Sequence, residues 1–148
     1  NAQLGHNPQN LNIQHFCVTR YCKPRDLQDG IVQNSAFEKR EKDTFLSVHL
    51  LEFFQKETEL ENVLQIKAYM EAGNFNLKPN GCFAVVNIQQ SKEYITEKES
   101  LEISYREEEL PHCGIYYDAY DYVIAELLAQ CVQNNYLIKD ITDSKNGN

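Results

Sequence analysis

Apolar and β-branched positions along the chain fall into short runs separated by turn residues, with few stretches long enough for a helix. His15 to Cys22 carries Phe16, Val18, Thr19 and Tyr21 and predicts a strand. Lys23-Pro24-Arg25-Asp26 stops it, because Pro24 has no backbone N–H to donate and restricts Lys23. Asp29-Gly30 marks a tight turn, and Ala36 to Lys42 reads as a short, charged helical piece. Thr44 to His49 predicts a second strand around Phe45-Leu46-Ser47-Val48, followed by a buried helical turn over Leu50 to Gln55. Thr58-Glu59-Leu60-Glu61 has capping-box spacing. Leu60, Val63, Leu64 and Ala68 then recur at helical spacing to about Glu71, and Gly73 suits a left-handed stop.

Asn80-Gly81 turns into Cys82 to Ile88, whose apolar run predicts a buried strand. Tyr94 to Tyr105 alternates in part, which predicts one hairpin or two short edge strands. Asp121 caps a last helix carrying Tyr122, Ala125, Leu128, Ala129 and Val132, ended by Asn134-Asn135, and Leu137 to Ile141 adds a short strand. Strands and helices are interspersed without a regular βαβ order. The expectation is therefore an α+β fold, a single compact domain over residues 15–142 with a mixed, mostly antiparallel sheet and two main helices. An irregular segment rich in Asn and Gln (residues 1–14) and a tail (143–148) flank it.

Composition narrows the function classes. At 148 residues the chain fits one domain, and 42% hydrophobic with 24% charged residues is ordinary for a globular protein. No apolar run approaches the roughly 20 residues that span a bilayer. The net charge of −8 argues against nucleic acid and anionic membrane surfaces as partners. A phosphate-sized ligand remains compatible with the local cluster Arg20, Lys23 and Arg25. Five cysteines, an odd number, with no signal-peptide pattern in residues 1–10, predict free thiols and a cytoplasmic location. Asn1-Ala2 is compatible with a tag remnant. No C-x-x-C or H-E-x-x-H spacing is present, so no metal is expected.

Three stretches carry candidate chemistry. Arg20 lies within an apolar strand, where its charge needs a carboxylate or an anionic ligand, and the guanidinium fork suits phosphate. The blander alternative is a strand-end arginine paired with one of the many acids. In Leu46-Ser47-Val48-His49-Leu50-Leu51-Glu52, a hydroxyl, an imidazole and a carboxylate follow a strand and its turn, so Ser47 and Glu52 are candidate catalytic groups; the alternative is a serine capping the next helix. His112, beside a presumed turn glycine in Pro111-His112-Cys113-Gly114-Ile115, is a candidate general acid or base, or else a structural histidine.

At these stretches the sequence resembles a group of small bacterial proteins with no assigned activity. The shared pattern is Arg20-Tyr21-Cys22-Lys23-Pro24-Arg25, then Ala36-Phe37-Glu38-Lys39-Arg40, then Leu46-Ser47-Val48-His49-Leu50-Leu51-Glu52, then His112-Cys113-Gly114-Ile115. The order of elements is also similar to the ADP-ribosyltransferase-like fold, including the RES-type toxins that consume NAD. That resemblance implies NAD as substrate and cofactor-sized ligand. Arg20 would hold its pyrophosphate, with Arg25 and Arg40 as further cofactor-binding residues, Ser47 and Tyr21 would position the nicotinamide ribose, and Glu52 or His112 would stabilise charge or move a proton. The alternative is a non-catalytic accessory module of a bacterial conflict system, or a homodimer. Its surface would draw on the nine tyrosines, four of which (Tyr116, Tyr117, Tyr120 and Tyr122) lie close together.

Overall fold

A computed structural model describes residues 15–146, with side chains through residue 142; the expected irregular segment 1–14 lies outside the described residues. Six strands form one sheet: β1 (Cys17–Cys22), β4 (Leu46–Leu50), β5 (Cys82–Asn87), β6 (Ile103–Glu107), β7 (His112–Tyr117) and β8 (Val132–Leu137). Their order is β6-β7-β4-β1-β5-β8, and every pairing is antiparallel. A separate two-stranded ribbon, β2 (Leu27–Gln28) and β3 (Ile31–Val32), turns at Asp29-Gly30. Both turn residues have positive φ (53° and 77°), as a tight hairpin of matching twist requires. Four helices complete the α+β domain: α1 (Glu59–Ala72), α2 (Ile88–Glu99), α3 (Asp121–Gln130) and α4 (Ile138–Asn146), which extends into the expected tail.

Alternation along each strand gives the sheet two apolar faces. Val18, Leu46, Val48, Leu50, Ala84, Val86 and Ile115 point to one side and bury against α2, α3 and a 3₁₀ turn at Asn34–Phe37. Cys17, Phe83 and Val85 point to the other and bury against α1, α4 and Leu51. This second layer covers the β1-β5-β8 half of its face. The β4-β7-β6 half carries polar and aromatic side chains instead, and Ser47, His49 and His112 stand there, whereas Arg20, opposite Ala84 on β5, belongs to the first face.

Several local expectations are corrected. Tyr94 to Ser100 belongs to the end of α2 and not to a hairpin, because the Asn87 side chain accepts from the Gln90 amide and starts a helix whose Ile88, Ser91 and Ile95 are buried. Asn134-Asn135 does not end a helix. Both residues sit in edge strand β8, opposite Val85 and Ala84, where pairing with β5 overrides the turn preference of Asn. The segment after Leu137 is helix α4, not a strand. Ala36 to Lys42 is helical only in the 3₁₀ turn ending at Phe37. The Thr58–Glu61 capping box forms as expected, with Thr58 accepting from the Glu61 amide at 3.1 Å.

Phe83, fully buried at the centre of the second layer, is the largest side chain that joins β5 to α1 and α4. Phe83→Ala is predicted to lower the unfolding free energy by about 3–5 kcal/mol. Urea denaturation checks this, and a loss below about 1 kcal/mol would contradict the packing described.

Candidate functional site

β1 and β4 do not stay paired along their length. They meet at Val18–Leu50 and Thr19–His49 and then separate, β1 continuing along β5 to Cys22 while β4 stays paired with β7. Backbone groups along the parted edges need other partners. Arg20 supplies them. Its Nη1 donates to the Ser47 carbonyl at 2.8 Å and its Nε to the Ala36 carbonyl at 2.8 Å. One side chain thus bridges β1, β4 and the Asn34–Phe37 turn.

Burial lowers the Arg20 pKa from its ordinary value, but a guanidinium stays protonated at neutral pH. Among the described residues no carboxylate lies within 4.0 Å of it. A half-buried cation compensated at short range by carbonyl dipoles alone favours an added anion.

A cavity of about 350 Å³ opens where the strands part. Arg20, Lys23, Arg25, Lys39 and Arg40 line it, against Asp26, Glu38 and Asp43. Some of these charges are already engaged. Asp26 accepts from the Lys23 amide at 3.2 Å and the Ser35 hydroxyl at 2.8 Å, Arg40 donates to Asp43 at 3.0 Å, and Lys39 pairs with Asp121 at 3.3 Å. The cation surplus at one mouth makes a positive focus on a chain of net charge −8.

Ser47 and His49 alternate with the core residues of β4 and line the same cavity. Ser47 stands opposite Gly114, and His49 opposite His112, so all four share one sheet face. The Ser47 hydroxyl lies 2.7 Å from His112 Nε2. The imidazole of His112 sits between two rings, Phe45 at 5.7 Å and His49 at 5.6 Å between centroids. The row extends through Tyr116, 5.1 Å from Phe45, to Arg106 lying 4.2 Å over the Tyr116 ring; beyond His49 it reaches Tyr69 at 5.8 Å. Gly114 is therefore not a turn residue. It lies within β7, and a Cβ there would stand 2.6 Å from the Phe45 ring, so its bareness is what seats Phe45 against His112.

This arrangement has the geometry of a nucleophile beside its base. With the proton on Nδ1, His112 Nε2 accepts from the Ser47 hydroxyl. Burial, with the neighbouring His112 and Arg20, lowers His49 to about 4. His49 is therefore uncharged at neutral pH.

The sequence-derived candidates separate into two groups. Arg20, Tyr21, Arg25, Arg40 and Ser47 line one cavity, and His112 joins through Ser47. The Tyr21 hydroxyl accepts from the Lys78 amide at 2.8 Å and pins the loop after α1 to β1. Glu52 is not in this group. It lies at the opposite end of β1, where its carboxylate accepts from the Cys17 amide at 2.8 Å, and burial raises it to about 7. The 3₁₀ turn Leu51–Phe54 that follows β4 carries it away from Ser47. The sequence reading missed Lys39, Phe45 and Phe75. Lys39-Arg40 was legible as a basic pair, whereas Phe45 needed the cross-strand register to be placed.

All five cysteines are free and buried. Among the described residues no group of three or more His, Cys, Asp or Glu is placed to hold a metal ion, and no helix is long and apolar enough to cross a membrane. The chain matches no family model, and neither a curated protein nor a solved structure is significantly similar to it.

The two displaced titrations have opposite signs. From about pH 4.5 to 7 the folded chain keeps a proton on Glu52 that the unfolded chain has lost, so this group lowers stability as pH rises. From about pH 4 to 6.5 the unfolded chain holds a proton on His49 that the folded chain lacks, so this group raises stability as pH rises. Glu52→Gln is predicted to gain on the parent chain from pH 4.5 to 7 and then level off. His49→Gln is predicted to gain on it as pH falls from 6.5 to 4. Urea midpoints in steps from pH 4 to 8 check both, and pH profiles parallel to the parent's would contradict the burial of these groups.

Proposed function

We propose that the protein is an enzyme acting on a phosphate-bearing nucleotide, with NAD or an ADP-ribose derivative as the substrate. The observation that carries this reading is that Ser47, whose hydroxyl lies 2.7 Å from His112 Nε2, lines a cavity together with five cationic side chains. Arg20 and the basic rim hold the phosphates. A volume of about 350 Å³ is near the lower end of ligand pockets, roughly 300–1,000 Å³, so it takes a mononucleotide-sized portion and leaves the rest of a dinucleotide along the rim.

With NAD, water or an acceptor hydroxyl adds to the ribose C1 and the bond to nicotinamide breaks, its electron pair leaving with nicotinamide. His112 takes the proton of the attacking group through Ser47, whose hydroxyl passes its own proton to Nε2 as it accepts that one. Glu52, which the ADP-ribosyltransferase-like resemblance assigned to this chemistry, has no part in it. The localisation that accompanies this reading is the cytoplasm, where NAD and reduced thiols coexist.

A second reading is favoured by one surface feature. Tyr120 and Tyr122 are 74% and 65% exposed and stack at 5.8 Å. Such a pair suits a protein partner, as in an accessory module of a bacterial conflict system or a homodimer. Tyr116 and Tyr117 do not contribute to it, since they are tied to Arg106 and to Asp121 and Lys39 respectively.

Incubation of the purified protein with NAD, read by nicotinamide release, is predicted to show turnover that Ser47→Ala and His112→Gln each reduce by about 10²-fold or more. Glu52→Gln is predicted to leave it within about twofold. No release above the uncatalysed rate, or equal activity in all three variants, would overturn the enzymatic reading.

A further inference from the structure

Phe75 is unusual among the apolar side chains. It is 58% exposed, yet it lines the cationic cavity together with the nearly buried Met70. It stands on the segment after α1, where an exposed phenylalanine buries nothing in the core.

The backbone holds it in place from both ends. The Phe75 amide donates to the Met70 carbonyl at 3.0 Å, and the Gly73 amide reaches the Tyr69 and Met70 carbonyls at 3.2 and 3.0 Å. Asn74 takes the positive φ of 70° that turns the chain back. Farther along, the Lys78 amide donates to the Tyr21 hydroxyl on β1, and Tyr21 itself lines the cavity. The ring is thus presented on a fixed lip, an aromatic face beside a set of cations.

A bare phosphate gains nothing from such a face, and a ribose only the weak contact of its C–H groups. A nucleotide does, because every base offers a π surface that stacks on an aromatic ring. We infer that Phe75 is the base-stacking residue of this cavity and sets its preference for phosphates that carry an aromatic base. This rests on the nucleotide reading above and names the residue that selects the base. Lys23 and Arg25 on the strand-stop side, with Arg20, take the phosphate, and the base lies against the α1 lip.

The test compares AMP with ribose 5-phosphate by calorimetry, a pair that differs only in the base. The parent chain is predicted to bind AMP roughly 5- to 150-fold more tightly, the range that one stacked base supplies. Phe75→Ala should bring AMP down to the ribose 5-phosphate level while leaving ribose 5-phosphate unchanged, and Phe75→Trp should keep the preference. The exposed position leaves the fold intact, which a cooperative thermal melt of each variant verifies. Equal binding of the two ligands by the parent chain, or an equal loss of both in Phe75→Ala, would overturn the stacking role and leave the phosphate site standing. No binding of either at millimolar concentration would overturn both.

Discussion

When two neighbouring strands part, the carbonyls along the gap lose their amide partners, and water or a side chain must replace them. Here the replacement is a guanidinium. Arg20 reaches from β1 across to the Ser47 carbonyl on β4 and the Ala36 carbonyl on the adjoining 3₁₀ turn. The same contact does two things. It closes the parted edge with charge-assisted hydrogen bonds, which are about twice as strong as neutral ones. It also fixes a cation in the lining of the cavity, where among the described residues no carboxylate lies within 4.0 Å of it, so the bond that joins the strands and the proposed anion site have one origin. Tyr117 shows how far the charge is felt: burial and Asp121 raise its pKa, and Arg20 acts against them.

The contact of Ser47 with His112 depends on a second constraint, the fixed orientation of the imidazole. An imidazole on an uncovered half of a sheet has rotamer freedom that a helix layer would otherwise remove. A row of rings substitutes for that layer. Phe45 and His49 hold His112 between them, and Arg106 and Tyr69 extend the row outward. Gly114 makes the row possible by leaving room for Phe45. Polar function and aromatic packing thus share one half of a sheet face, while α1 and α4 cover the other half.

The fold class was legible because strand signals and helix signals alternate without a βαβ rhythm, and the first strand, the capping box and the Cys82 strand were each marked by local residues. The last third was misread where tertiary pairing opposes local preference: two asparagines lie in an edge strand because β5 offers a complete row of hydrogen-bond partners. At the site, Arg20, Ser47 and His112 were legible from the mismatch between their chemistry and their apolar neighbours. Glu52 stands apart from the other candidates for a geometric reason. Sequence distance from Ser47 is short, but the chain runs the length of β4 and enters a 3₁₀ turn before reaching it, which places the carboxylate beside Cys17. Phe45 and Phe75 are brought to the cavity by register and loop geometry, and neither leaves a mark in the linear pattern.

The most direct measurement is the thermal shift of the parent chain and of Arg20→Met and Arg20→Lys with ADP-ribose. A ligand that binds the folded form raises its melting temperature with concentration. The expected result is a saturating rise for the parent chain, none for Arg20→Met despite a cooperative melt, and a reduced rise for Arg20→Lys, which keeps the charge but cannot span both carbonyls. The same rise in all three proteins, or none in the parent chain, would contradict the account of Arg20 as the group that both joins the parted strands and receives the anion.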